Sequence, residues 1–301
     1  MKHPFRIPVQ ELAGPFITER ATQAEREALT RPIKTGQYIQ AAAIVLVVLA
    51  VVFKILGRYG FGIYLLILAS ALGMALFAAM YMNISQRKAA RVLEQGCDPW
   101  RYAALAYEAA LAMEKRTQVK QEVREMNCGI QVGSIALALC YMGRWEEGRL
   151  LAGRLLNCEL TPLEAMNCRS VLVLYCYNRG DFEEMREQLQ ELRWAAEGIR
   201  GRRGERYRQR ALANGENFAA MAEALEAHDP EKALLLYRGM ARAGETPLEQ
   251  CVRSLNLGRL ELQLGYTDQA EEHLRYAAEH GNRLYVADTA RELLKTVEKC
   301  V

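Results

Sequence analysis

The sequence predicts an all-α protein, a transmembrane helical hairpin followed by a right-handed α-solenoid of helix pairs. Two observations lead there. Two apolar runs, Tyr38–Leu56 and Phe61–Met82, lie back to back in the first third of the chain. Beyond them the sequence repeats a unit of roughly 34 to 37 residues, in which an apolar helical stretch, a polar turn and a second helical stretch follow one another.

Residues 1–37 read as a cytoplasmic leader. Pro4, Pro8 and Pro15 crowd its first part, and the polar run ITERATQAEREALT predicts a short surface helix ending before Pro32. An interfacial helix lying on the membrane is the alternative, although its apolar face is thin. The segment is expected to be peripheral.

Residues 38–82 read as a two-helix transmembrane hairpin. The second run carries no charge, and at about 1.5 Å per residue its length matches the hydrocarbon core of a bilayer. The first run is interrupted near its far end by Lys54, whose alkyl stem can lie along lipid while its ammonium reaches the headgroups. Only Gly57-Arg58-Tyr59-Gly60 separates the runs, so the chain reverses at once and both flanks end on one side. Arg20, Arg26, Arg31 and Lys34 precede the hairpin and Arg87, Lys88, Arg91 and Arg101 follow it, against Lys54 and Arg58 near the turn. Lys and Arg are retained on the cytoplasmic side, which places the N-terminus and the region after the hairpin in the cytoplasm. The expected location is an integral position in a membrane, with the bacterial cytoplasmic membrane suited by the compact anchor. An apolar segment that begins near residue 38 is too late for a cleaved signal peptide.

The 301 residues are 51% hydrophobic and 25% charged, an ordinary globular composition. Residues 1–83 hold eight Lys or Arg and four Asp or Glu, which leaves 31 basic and 32 acidic residues beyond them. A near-neutral body argues against nucleic-acid binding, which needs a basic face. All eight cysteines follow the hairpin, several inside apolar stretches such as IALALCYMG and VLVLYCYN, as reduced core cysteines do. No CxxC or CxxH pair is present, so no metal site or cofactor is expected.

Residues 83–301 form the helical repeat domain. NISQRKAARVLEQG has no helix breaker before Gly96, so the second apolar helix is expected to continue beyond the membrane. Asp98 then stands as a helix cap with Pro99 at the first helical position. Four units align on their turns: YMGRWEEGRLLAGRLL at Gly143, YNRGDFEEMREQLQELR at Gly180, EAHDPEKALLLYRGMA at His228-Asp229, and LQLGYTDQAEEHLRYAAEHG at Gly265. Each second helix opens on acidic or polar residues that suit the positive end of a helix dipole.

These units resemble the tetratricopeptide repeat family. In the last unit Leu257-Gly258, Gly265, Ala270, Leu274 and Ala277 match the family's small and large positions in order. In the first, Gly143 and Trp145 match while Gly148 stands where alanine is usual; in the second, Gly180, Asp181 and Phe182 match while Met185 takes the small-residue place. The third keeps Ala233 and Tyr237 without a turn glycine. The resemblance spans roughly residues 84–301 and implies four to five stacked helix pairs. It further implies a concave groove lined by first helices, to which Tyr141, Asn167, Ser170, Tyr177, Asn178, Arg259 and Gln263 would contribute. Tyrosine and amide side chains suit an extended peptide, which offers donors, acceptors and apolar groups.

The turn-to-turn spacings are 37, 48 and 37 residues, and the long one holds an insertion over residues 198–210, GIRGRRGERYRQR. Arg200, Arg202, Arg203, Arg206, Arg208 and Arg210 make it a candidate anion-binding surface, with anionic lipid headgroups the first partner to consider, or else a solvated loop between repeats. Its first half is expected to be loop and RYRQRALANG the start of a helix. RLYVADTARELLKTVEKCV reads as a single amphipathic helix that caps the solenoid or docks another chain.

No arrangement that supports catalysis stands out: there is no GxxxxGKS loop, HExxH or GxSxG, and His3, His228, His273 and His280 are scattered and read as surface residues. The expected function is a membrane-anchored scaffold or adaptor that binds a protein or peptide in its groove. The alternative is a regulatory subunit that senses a ligand or peptide and signals to an associated membrane protein.

Overall fold

The computed structural model describes residues 7–55, 61–115, 121–240 and 245–298. It is helical throughout, with no β-strand among the described residues. The turn Gly57-Arg58-Tyr59-Gly60, Leu56 and Cys300 lie outside them. The chain divides into two compact units, one of residues 21–91 and one, the body, of residues 1–20 together with 92–301.

The smaller unit holds α2 (Gln23–Ile55) and most of α3 (Phe61–Glu94). Thr22 starts α2 through a capping box: its hydroxyl accepts from Glu25 N at 3.3 Å, and Glu25 Oε2 accepts from Thr22 N at 2.8 Å. The short helix expected before Pro32 is instead the beginning of this long one, which passes through Pro32. Pro32 lacks the N–H that would bond the Ala28 carbonyl, yet the good helix formers before it and the apolar run after it hold the helix on both sides. Among the described residues Lys34–Ile55 is long and apolar enough to cross a membrane, and Gly62–Ala78 is a shorter apolar helix. Each helix buries small residues at heptad spacing, Gly36, Ala43 and Ala50 on α2 and Ala71 and Ala78 on α3. Small side chains at that period allow close approach of helix backbones. The Lys54 ammonium sits 5.1 Å from the ring centre of Tyr64. As expected, α3 continues without a break past the apolar run, to Glu94.

The body begins with α1 (Val9–Leu12) and a 3₁₀ turn (Gly14–Phe16). Here the expectation of a peripheral leader is corrected: Val9, Leu12, Ala13 and Phe16 are buried in the same cluster as Leu139, Leu151 and Leu155. Val9 N donates to Glu114 Oε1 at 2.8 Å, and Arg144 Nη1 donates to the Phe16 carbonyl at 2.9 Å. A segment with three prolines cannot form a long helix, but one apolar turn is enough to fill a hydrophobic recess.

Helices α4 (Pro99–Glu114), α5 (Gln121–Tyr141), α6 (Trp145–Leu156), α7 (Pro162–Arg179) and α8 (Phe182–Glu197) follow. Then come α9 (Arg202–Glu226), α10 (Pro230–Gly239), α11 (Pro247–Gln263), α12 (Thr267–His280) and α13 (Tyr285–Glu298). The turns fall where the sequence places them. Gly143, Gly180 and Gly265 have φ near +80, +74 and +78, and His228 takes φ +53 where the third unit has no glycine. Four prolines occupy the first position of a helix behind a capping residue: Asp98, Thr161, Asp229 and Thr246 each accept from the backbone N–H three residues on.

Two of these caps are copies. Thr161-Pro162-Leu163-Glu164 and Thr246-Pro247-Leu248-Glu249 are the same four residues, both form full capping boxes, and the same interval separates each Thr from its turn glycine, Gly180 or Gly265. The α7–α8 and α11–α12 pairs are thus ungapped copies of one plan.

Packing runs mainly between neighbours: α4 with α5, α5 with α6, α7 with α8, α11 with α12, and α12 with α13. Alternate helices also touch, α5 with α7, α7 with α9, and α11 with α13. Gly148, in the place where alanine is usual, has a local reason. A Cβ there would stand 2.9 Å from the Ala136 carbonyl and 2.7 Å from Cys140 Sγ, so α5 and α6 meet at backbone distance.

The turn between α12 and α13 reaches back to the segment that precedes α4. Asn282 Nδ2 donates to the Gly96 carbonyl at 2.8 Å and Arg283 N to the Cys97 carbonyl at 3.3 Å. The Arg283 guanidinium lies over the Trp100 ring and pairs with Glu19. The seven described cysteines are buried and form no disulfide.

Candidate interaction surface

The residues predicted to line a groove fall into three groups. Tyr141, Tyr177, Asn178 and Arg259 are drawn into one aromatic cluster, although they come from α5, α7 and α11. Tyr177 and Tyr237 share a hydrogen bond of 2.6 Å between hydroxyls, and the Tyr177 ring packs 4.7 Å from Phe218. Asn178 Nδ2 donates to the Leu174 carbonyl at 2.9 Å, and its Oδ1 accepts from the Tyr285 hydroxyl at 3.4 Å. Tyr285 meets Trp145 edge to face at 5.0 Å. Its Cβ also lies 3.1 Å from where a Cβ on Gly143 would stand.

Burial raises the phenol pKa of Tyr141, Tyr177 and Tyr237, and pushes that of Tyr285 up to about 12. These hydroxyls therefore remain neutral and act as donors and acceptors. Arg259 supplies the nearby positive charge felt by Tyr177, Tyr237 and Tyr285.

Asn167 and Ser170 lie farther back along α7 and are half-buried; the Ser170 hydroxyl donates to the Met166 carbonyl at 2.9 Å. Gln263 is exposed at the end of α11. The structure therefore leaves Asn178 and Gln263, matching positions of the two copied helix pairs, as the exposed part of the predicted set. Tyr177 is occupied by Tyr237, and Tyr141 packs with Tyr285 against the same hydrophobic cluster.

The arginine run is more ordered than expected. Helix α9 starts at Arg202, four residues before the RYRQRALANG stretch, with Gly201 at φ +90 as its N-cap. Arg208 is paired with Glu205 at 2.8 Å and Arg210 with Glu249 at 2.6 Å. Arg200 and Arg206 are exposed, and the side chains of Arg202 and Arg203 lie outside the described residues.

A second constellation was not visible in the sequence. Glu261 on α11 is fully buried and accepts from Arg238 Nη2 at 2.9 Å. Its other oxygen lies 2.7 Å from His273 Nδ1 on α12, so His273 is fixed by a buried carboxylate and is not a lone surface residue. That bond leaves Nε2 as the unengaged ring nitrogen, beside an open groove of about 690 Å³ that also carries Gln250, Tyr276 and His280. Tyr276 and His280 stack at 4.3 Å, and the Tyr276 hydroxyl donates to Gln250 Oε1 at 2.5 Å. Among the described residues no three His, Cys, Asp or Glu side chains are grouped to hold a metal ion. The helix period gives a weak signal for this pair, since both residues fall on the faces that α11 and α12 turn to one another.

No protein-family model, curated protein or solved structure matches this chain.

Proposed function

We propose that the chain is a membrane-anchored scaffold that binds a protein or peptide partner through a right-handed, tetratricopeptide-like stack of helix pairs. The observation that carries this reading is the distribution of apolar side chains on α2 and α3. Gly36, Ala43, Ala50, Ala71 and Ala78 are buried, whereas Ile44, Val48, Leu72, Leu76 and Phe77 are 55–64% exposed. Exposed apolar surface on that scale is unfavourable in water and favourable in hydrocarbon. The two helices form a transmembrane hairpin with the body in the cytoplasm. Neighbour-to-neighbour packing, the copied capping boxes and the left-handed turn residues support the repeat architecture. The partner docks on the edge bearing Asn178, Arg259 and Gln263.

Two measurements test this. The full chain expressed in bacteria should stay in the membrane fraction after alkaline carbonate washing, and release by carbonate would refute the anchor. A photoreactive residue at Gln263 should capture one discrete protein, lost on Asn178→Ala; capture of nothing, or of the same protein from the distant Leu150, would refute the docking edge. The groove beside His273 favours a second reading, a regulatory subunit that senses a small ligand there. Thermal stabilisation of the purified chain by a metabolite mixture, lost on His273→Ala, would support that reading over the scaffold.

A further inference from the structure

Asn217, midway along α9, buries its side-chain nitrogen, and no acceptor among the described residues reaches it. An unpaired buried amide donor costs about 1–3 kcal/mol, so such groups in a native structure call for an explanation. This one lines an open groove of about 390 Å³ whose other wall is a single face of α10, made of Lys232, Leu235, Leu236, Gly239 and Met240. Leu235 is 68% exposed, more than any other large apolar side chain of the body among the described residues. Among the described residues nothing lies within 4 Å of where a Cβ on Gly239 would stand, which leaves room for another chain to run close to the helix there. Among the described residues these walls carry the Asn217 amide and the Lys232 ammonium as their polar side chains, and no carboxylate.

We infer that this groove is a second recognition site, for a segment of a partner protein that presents a carboxylate beside an apolar side chain. The carboxylate accepts from Lys232 Nζ and, as the amide turns toward the groove, from Asn217 Nδ2, and hydrogen bonds to charged acceptors are the stronger kind. The apolar side chain covers Leu235 and Met240, while the backbone passes over Gly239. None of these residues belongs to the Asn178–Gln263 edge, so the site is independent of the docking edge proposed above.

The test uses the full chain in detergent micelles and two fluorescein-labelled peptides, Leu-Asp-Phe-Glu and its neutral counterpart Leu-Asn-Phe-Gln, with fluorescence anisotropy as the readout. The acidic peptide should bind at least tenfold more tightly than the neutral one. Asn217→Leu and Lys232→Glu should each weaken it by a further tenfold, and Asn178→Ala should leave it unchanged. Asn217→Leu replaces an unpaired donor with an apolar group of similar size, so its unfolding temperature should hold or rise, which separates lost binding from lost folding. The inference is overturned if the two peptides bind alike, if neither binds at millimolar concentration, or if Asn217→Leu keeps full affinity. It is likewise overturned if Asn178→Ala abolishes binding, or if sedimentation shows self-association that Leu235→Asp removes, which would assign the groove to a second copy of this chain.

Discussion

The Tyr177 hydroxyl meets the Tyr237 hydroxyl at 2.6 Å, joining α7 to α10 across two intervening helices. Each phenol is the other's polar partner in a buried aromatic cluster, and burial raises both pKa values. Tyr237→Phe should therefore leave the Tyr177 hydroxyl with only the weak Met221 thioether acceptor at 3.9 Å and destabilise the chain by about 1–2 kcal/mol. Tyr177→Phe should do the same. The double variant should cost clearly less than the two singles together, because no orphan hydroxyl remains. Urea unfolding of the four proteins in a double-mutant cycle measures this, and strict additivity would show that the bond carries no coupling.

The two copied capping boxes should respond to pH in opposite directions. Burial raises the Glu164 pKa against the lowering effect of the bonds from Thr161. In Glu249 burial also raises it, but the bonds from Thr246 and the Arg210 guanidinium outweigh that and the pKa falls. A raised carboxyl pKa means that the folded state holds the proton more tightly than the unfolded one. Glu164 therefore costs stability as pH rises through and above its folded pKa, and the cost vanishes below the ordinary carboxylate range. Glu249 contributes stability above its unfolded pKa, and that contribution is lost as pH falls through its lowered one.

Glutamine keeps the capping geometry in both boxes. Glu164→Gln should thus leave stability unchanged or raise it by up to about 1 kcal/mol at neutral pH. Glu249→Gln should lower it by less than about 1 kcal/mol, since the Arg210 pair is partly exposed and screened. Unfolding midpoints at about pH 7 and about pH 4 check both signs.

Gly148 and Gly258 are places where a single methyl group is expected to matter. At Gly258 a Cβ would lie 2.7 Å from Leu274 Cγ and 3.2 Å from the Ala270 carbonyl. Both of the nearest atoms at Gly258 belong to the Leu274 side chain, while at Gly148 the Ala136 carbonyl, 2.9 Å away, is backbone and must move with its helix. Gly148→Ala should cost about 1–3 kcal/mol, and Gly258→Ala less, despite the better helix propensity of alanine at both positions. Equal costs, read from thermal unfolding, would mean that the backbone contact at Gly148 is not the constraint.

Glu261 is buried while its two partners are partly exposed. Glu261→Gln keeps the shape but cannot satisfy both Arg238 and His273 with a charged acceptor, and should cost about 1–3 kcal/mol. His273→Ala leaves the carboxylate with Arg238 alone and should cost less. Urea unfolding of both variants ranks them, and the reverse order would make the imidazole the structural partner.

Much of the fold was legible because it is local. Gly143, Gly180 and Gly265 announce their turns through positive φ, and Asp98 and Asp229 announce helices through caps that bond three residues ahead. The repeated Thr-Pro-Leu-Glu was also open to reading and is the firmest sign that two helix pairs share one plan. What the sequence hides is long-range. Val9 and Phe16 look peripheral because the recess they fill is built by residues of α4, α5 and α6, far along the chain. The groove residues Tyr141 and Tyr177 look available because Tyr237 and Tyr285 reach them from the far end of the chain. Of the seven residues that the repeat alignment assigns to a groove, Asn178 and Gln263 have exposed side chains.

The return of Asn282 and Arg283 to Gly96, Cys97 and Trp100 changes how the body should come apart. A row of helix pairs with two open ends can melt from either end, one pair at a time, as nearest-neighbour energetics allow. Here the turn that leads into α13 is tied to the segment that leads into α4, so neither place can open without the other. Loss of structure should then be all-or-none, and folding should wait on a contact between segments almost two hundred residues apart, which raises contact order and slows the closing step.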